Sequence, residues 1–250
     1  MYRSVKLSLI TKVKLNNRQK AIGTILLFPW YLYFAPSFFN FLIKLYVTYV
    51  NDNLTSETIN TYFNVLIALS TAIFLLFIFR DFIKKNWEIF KQELLENIIW
   101  VLTIGIGSAY LFSYIGEFIV NLLLPANTSE ATNQTLVVTL VSSNMLLMTF
   151  HAVILAPIVE ELFFRGLIFN TLRQKSVFWA HLISAFLFGL LHVYSYILAG
   201  DMSEWIKLIP YMTAGLAFSY AYEKRQNIIA PIFLHGIKNL IAVILIYVMF

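Results

Sequence analysis

The chain has 250 residues, of which 60% are hydrophobic and 12% charged, against about 25% charged in an average soluble protein. With a mean hydropathy of +0.76, this excludes an ordinary soluble domain and points to an all-α polytopic membrane protein. The net charge of +5 does not indicate a nucleic-acid partner, because the basic residues gather at the ends of apolar runs and so report topology, and the lack of cysteine rules out disulfides and thiolate metal sites.

Residues 1–21 read as a basic cytoplasmic leader, with Arg3, Lys6, Lys12, Lys14, Arg18 and Lys20 and no acid. The apolar run that follows is too long for a signal-peptide core and lacks a small-residue cleavage site, so it is expected to be the first span. Runs of spanning length fall near 22–48, 62–80, 97–124, 148–172, 177–198, 205–222 and 228–249; about 20 residues suffice to cross a bilayer. Pro29 and Pro36 predict a kink in the first run.

The connecting segments alternate in basic content. Segments 51–61, 125–135 and 199–204 have no Lys or Arg. Segment 80–96 carries Arg80, Lys84, Lys85 and Lys91, segment 173–176 carries Arg173 and Lys175, and segment 223–227 carries Lys224 and Arg225. By the positive-inside rule this predicts seven spans with the N-terminus cytoplasmic and the C-terminus outside. Residues 136–149 could form a further short or re-entrant helix, giving eight. Within 82–96, Ile83, Trp87, Phe90 and Leu94 recur at helical spacing among charges, as in a helix lying on the cytoplasmic surface. The chain so divides into N-terminal helices over 22–135 and a second unit over 136–250. The triplet Ala-Pro-Ile occurs at 156–158 and again at 230–232, each copy ahead of a polar cluster, where proline frees backbone groups.

Charge inside these runs is the strongest functional signal. A charged side chain at the bilayer centre costs about 2.5–3.5 kcal/mol on insertion scales. Glu161 and Arg165 are spaced i, i+4 in the favourable order and can neutralise each other. Glu160 lies about 100° around the helix from Glu161 and is left over. Such a carboxylate must be protonated or face water and other polar groups, the setting of a general base. Phe188 and His192 share a face of one later run, and His235 and Asn239 share a face of the last. At about 1.5 Å per residue, Glu160 is about 18 Å from the inner end of its span, His192 about 22 Å and His235 about 10 Å, depths compatible with one cavity. His151 and His181 read as packing residues, and Glu117, Lys207 and Lys238 as snorkelling or paired charges.

The three patterns, EELFFR (EExxxR), FGLLH (FxxxH) and HGIKN (HxxxN), in this order on separate runs, resemble the CPBP family. These are the CAAX-processing and bacteriocin-immunity intramembrane proteases, also called the Abi family, and the resemblance covers about 136–249. It implies a bundle of about seven to eight transmembrane helices around a conical intramembrane cavity, and hydrolysis of a peptide bond in a membrane-bound or lipidated peptide. It further implies Glu160 as the base that activates water, His192 as the residue holding that water, and His235 with Asn239 as the oxyanion hole. Glu161 and Arg165 would brace the helix.

The resemblance also bears on setting and cofactor. It implies a bacterial plasma membrane and a role in peptide maturation or bacteriocin self-immunity. The glutamate mechanism requires no cofactor. The alternative is zinc held by Glu160, His192 and His235, a known kind of catalytic set, although the HExxH pattern is absent. The rival functions are a non-catalytic immunity or scaffold protein and a proton-coupled transporter. A serine protease lacks its GxSG motif here, and Asp52, Asp81 and Asp201 all fall in loops or at span ends, so no aspartyl pair forms.

Overall fold

The computed structural model describes residues 13–125 and 130–249. Arg3, Lys6 and Lys12 of the leader, and positions 126–129 of the segment 125–135, lie outside the described residues. Among the described residues the fold is helical without strands. The helices are α1 (Asn17–Tyr49), α2 (Ser56–Ile78), α3 (Arg80–Gln92), α4 (Leu94–Leu123), α5 (Thr132–Ser143), α6 (145–172), α7 (Val177–Leu198), α8 (Glu204–Arg225) and α9 (Ile229–Met249).

Five of these, α1, α2, α4, α7 and α9, are long and apolar enough to cross a membrane. They coincide with five of the seven expected runs. The runs at 148–172 and 205–222 are helical too, but they differ in kind. α6 carries Glu160, Glu161 and Arg165, and α8 carries Glu204, Lys207 and Pro210. Both are largely enclosed by other helices: Val159, Leu162, Phe163, Phe164 and Phe169 of α6, and Ala217, Phe218 and Ala221 of α8, are buried. A helix wrapped in protein need not be apolar all round, because its polar groups find protein partners instead of lipid.

Proline shapes two helices as the chain pattern predicts. The expected kink in α1 takes the form of wide turns over Gly23–Leu27 and Trp30–Phe34, closed by Phe28 N–H to Gly23 O and Ala35 N–H to Trp30 O. Each sits next to a proline, whose missing N–H breaks the regular ladder. In α6 a wide turn over His151–Leu155 precedes Pro157, and a second, over Leu162–Phe169, follows the two glutamates.

The further short helix expected within 136–149 is present as α5, with different bounds: it ends at Ser143, Asn144 breaks the backbone, and Met145 starts α6. With 12 residues, α5 is about 18 Å long, too short to cross. Of the stripe expected over 82–96, Phe90 is buried, Ile83 packs against the core, and Trp87 and Leu94 are exposed. Phe82 and Asn86 of α3 are buried as well, Asn86 although it is polar. Its carboxamide accepts from Ile228 N–H at 2.9 Å and donates to Phe82 O at 2.8 Å, tying α3 to the start of α9.

The same end of the bundle is clamped by Arg225, which donates to Asn97 Oδ1 at 2.6 Å, Glu96 Oε1 at 2.7 Å and Glu93 Oε2 at 3.3 Å. Near the site, small residues let helices meet closely. A Cβ added at Gly236 of α9 would stand 2.8 Å from Val153 O in α6, and one at Gly116 of α4 would stand 2.7 Å from Pro210 Cα in α8. Such contacts set helix spacing where apolar side chains gain little by leaving lipid.

Candidate active site

The site is built on α6 and completed by α7, α8 and α9. Glu161 and Arg165, one turn apart, pair as expected: Arg165 Nη1 donates to Glu161 Oε1 at 3.0 Å, with both side chains fully buried. Arg165 Nη2 donates to Gly215 O of α8 at 2.7 Å. The guanidinium lies 4.6 Å from the Phe188 ring centroid and 5.3 Å from that of Phe218. A buried arginine is tolerated because its charge is paired, both of its terminal nitrogens donate and its flat faces meet aromatic rings.

Glu161 has a second partner that the spacing does not reveal. His235 Nδ1 of α9 stands 2.9 Å from Glu161 Oε1. The ionised carboxylate only accepts, so His235 carries a proton on Nδ1 and turns Nε2 away from Glu161. His192 is fixed in the same sense, because its Nδ1 donates to Phe188 O at 2.8 Å. The two Nε2 atoms converge on Glu160 Oε2, at 3.9 Å from His192 and 4.0 Å from His235. Glu160 is 7% exposed, and its Oε2 is buried with no hydrogen-bond partner.

Aromatic rings hold both imidazoles. His192 is stacked on Tyr211 of α8 with centroids 4.4 Å apart and planes 16° apart, and packs on Phe188 at 4.8 Å. His235 is stacked on Phe218 at 4.4 Å and 17° and meets the edge of Phe188 at 5.8 Å. Phe188 therefore touches both histidines and Arg165, a physical reason for phenylalanine at the head of FGLLH. Tyr211, Gly215 and Phe218 escaped the sequence reading. They lie on the helix that holds none of the three motifs, and the only signal was their i, i+4 and i+7 spacing, which buried packing residues share.

Asn239 has a different connection from the other three. Its Nδ2 donates to Ala152 O of α6 at 2.7 Å, in the wide turn over His151–Leu155. It ties α9 to α6 one turn from His235. His181 has the packing role expected of it, with Ser219 Oγ 2.7 Å from Nδ1 and the Phe169 ring against it. Lys207 is paired, donating to Glu204 Oε1 at 3.1 Å, while Glu117 and Lys238 line a neighbouring cavity.

A metal held by Glu160, His192 and His235 would require their donor atoms to stand close together. Bonds of about 2.1 Å in a tetrahedron place donor atoms about 3.4 Å apart. The carboxylate–imidazole separations of 3.9 and 4.0 Å are wider. Among the described residues no group of three His, Cys, Asp or Glu side chains has metal-holding spacing.

Comparison with known proteins bears on the segment that holds this geometry. Residues 142–241 match the family described as Type II CAAX prenyl endopeptidase Rce1-like. The chain is 35% identical over 100 residues to the protein of Bacillus subtilis (strain 168) named "Putative membrane peptidase YdiL", which covers 40% of this chain and 37% of that one. It is 28% identical over 159 residues to the UPF0177 protein YxdF of Lactococcus lactis subsp. lactis (strain IL1403), covering 62% of this chain and 77% of that one. It is 27% identical over 145 residues to the UPF0177 protein YaiF of the same strain, covering 58% and 62%. The chain thus spans little more than a third of the Bacillus relative. No solved structure matches it. The EELFFR, FGLLH and HGIKN motifs all fall inside residues 142–241, so the segment that is similar to the Rce1-like family is the one that carries the resemblance read from the motifs.

Proposed function

We propose that this protein is an intramembrane endopeptidase that cleaves a peptide bond in a membrane-associated or lipidated peptide with water activated by Glu160. One observation carries this reading: Glu160 Oε2 is buried without a partner, and two imidazole Nε2 atoms face it at 3.9 and 4.0 Å. These gaps exceed a direct hydrogen bond and suit groups bridged by one small molecule.

The chemistry follows from the tautomers. With its proton on Nδ1, neutral His192 offers a lone pair at Nε2. A water there donates one hydrogen to Glu160 and the other to His192, and its oxygen lone pair points at the substrate carbonyl. As the oxygen–carbon bond forms, the water proton passes to Glu160 and the carbonyl becomes an oxyanion. His235 can donate to that oxyanion through Nε2 only as imidazolium. Glu161, hydrogen-bonded on the Nδ1 side, is then its counter-ion, as the buried acid is in a Ser-His-Asp triad. On collapse the carbon–nitrogen bond breaks and the leaving nitrogen takes the proton from Glu160. In this scheme Asn239 assists the oxyanion with the amide hydrogen that is not committed to Ala152.

The setting we propose is a bacterial plasma membrane, in keeping with the bacterial sources of the relatives. The N-terminus would be cytoplasmic, in keeping with the alternation of basic segments. The test is proteolysis by the purified protein in detergent, on a fluorogenic prenylated CAAX-type peptide and a peptide library. Wild type is compared with Glu160→Gln, each with and without a zinc chelator. Cleavage lost in Glu160→Gln and kept with chelator is the expected result. Loss in both arms would favour zinc at Glu160, His192 and His235. A cellular phenotype that persists in Glu160→Gln would support a scaffold. One lost in Glu160→Gln without any cleaved product would support a transporter.

A further inference from the structure

A second feature lies next to the site and has no part in the scheme above. A cavity of about 470 Å³ is lined by Glu117 and Asn121 of α4, Glu130, Gln134 of α5, Lys207 and Tyr211 of α8, and Lys238 of α9. This volume is in the range of ligand-binding clefts, about 300–1,000 Å³. Its rim is exposed at Glu117, Asn121, Glu130 and Gln134, and its floor is buried at Lys207. The wall toward the candidate active site is Tyr211, whose ring is stacked on His192. Lys238 stands on α9 between His235 and Asn239.

Three properties of this cavity point the same way. It is lined by acids and bases together, Glu117 and Glu130 with Lys207 and Lys238, which suits water and a polar chain and repels an acyl tail. Its mouth is built, because Glu204 Oε1 accepts from Thr132 N–H at 3.1 Å, Thr132 Oγ1 at 2.7 Å and Lys207 Nζ at 3.1 Å, pinning α5 to α8 beside it. It opens at the end of the bundle whose connections, 125–135 and 199–204, contain no Lys or Arg. The basic connections are at the other end, where Arg173 and Arg225 are held. Hydrolysis inside a membrane needs a wet path, and this cavity reaches the residue that flanks His192.

We propose that this cavity is the aqueous entrance of the candidate active site, that it opens on the non-cytoplasmic face, and that it admits a polar, unacylated segment of the peptide. The substrate part of this proposal rests on the peptidase reading; the opening and its side do not. A lipid-anchored portion of the substrate would stay in the bilayer while the polar segment enters between α4, α5, α8 and α9.

The cysteine-free sequence makes the test direct. Single cysteines are placed at Gln134 on the rim, at half-buried Ala242 within the cavity lining, and at exposed Lys175 at the basic end. Intact cells are treated with a membrane-impermeant maleimide. Gln134→Cys and Ala242→Cys should label without permeabilisation and Lys175→Cys only after it. Ala242→Cys labelling only after permeabilisation would overturn the assigned face, and no labelling beside a labelled Gln134→Cys would overturn the opening. A bulky maleimide on purified Ala242→Cys should then lower peptide cleavage roughly tenfold or more relative to the unlabelled variant. Full cleavage by the labelled variant would overturn the entrance. If wild type cleaves no peptide, the peptidase reading fails, and the labelling pattern alone still decides the opening and its side.

Discussion

His235 and Glu161 meet through Nδ1 and Oε1 at 2.9 Å, although they are 74 positions apart in the chain. This contact decides which nitrogen of His235 faces Glu160. It also gives Glu161 two duties, because the same oxygen accepts from Arg165. Glu161→Gln should lower peptide cleavage by roughly 10³–10⁴-fold, the scale seen when a triad acid is neutralised. It should also lower thermal stability, since Arg165 keeps its charge without a counter-ion. The double variant Glu161→Gln/Arg165→Met removes both charges. Thermal unfolding in detergent should recover in the double variant while cleavage stays low; recovery of cleavage would reduce Glu161 to a helix brace.

Glu160 should behave in the opposite way. Its Oε2 has no partner in a buried setting, so Glu160→Gln removes a carboxyl oxygen that makes no hydrogen bond in the folded protein. Cleavage should fall to background and thermal stability should hold or rise. A marked loss of stability in Glu160→Gln would show that the carboxylate serves the fold.

Tyr211 positions His192 by stacking, at 4.4 Å and 16°. Tyr211→Phe keeps the ring and Tyr211→Leu removes it. Stacked pairs are worth about 0.5–1.5 kcal/mol, and a misplaced catalytic group costs up to about 10²-fold in rate. Steady-state kinetics should therefore show kcat near wild type in Tyr211→Phe and reduced tenfold or so in Tyr211→Leu, with KM changed less. Equal kcat in the two variants would remove Tyr211 from any positioning role.

Gly236 separates α9 from α6 by the width of a missing side chain. Its substitution by alanine sets a Cβ 2.8 Å from Val153 O, next to the Ala152 carbonyl that Asn239 holds. Gly236→Ala should destabilise by about 1–3 kcal/mol, the usual cost of overpacking. Cleavage should fall along with it, because His235 and Asn239 ride on the displaced helix. An unfolding curve identical to that of wild type would show that α9 can shift without cost.

Much of this protein was legible in one dimension. The apolar runs gave five membrane-length helices at their expected positions, and proline marked where α1 widens and where α6 makes its first wide turn. The i, i+4 spacing of Glu161 and Arg165 was enough to pair them and to leave Glu160 over, since both facts depend only on helical geometry. The short motifs single out Glu160, His192 and His235 as candidates because charge and imidazole are costly in lipid and stand out against an apolar background.

The rest required helices to cross. The spacing along α9 cannot say that His235 meets Glu161, nor that Asn239 spends a hydrogen on Ala152, because both depend on how closely α9 approaches α6 at Gly236. The burial of Asn86 in α3 is not legible from spacing, because a carboxamide looks solvent-facing until Ile228 N–H is placed against it. Tyr211 and Phe218 were invisible because aromatic residues are ordinary on a buried helix, and their roles exist only where α8 lies along α7 and α9. By itself, then, the sequence determined the membrane class, the helices and the polar residues inside them that are candidates for a site, all of which follow from local hydropathy and helical periodicity. Tertiary structure alone decided which nitrogen faces which oxygen, because hydrogen-bond partners across helices depend on distances of a few tenths of an ångström that no linear spacing records.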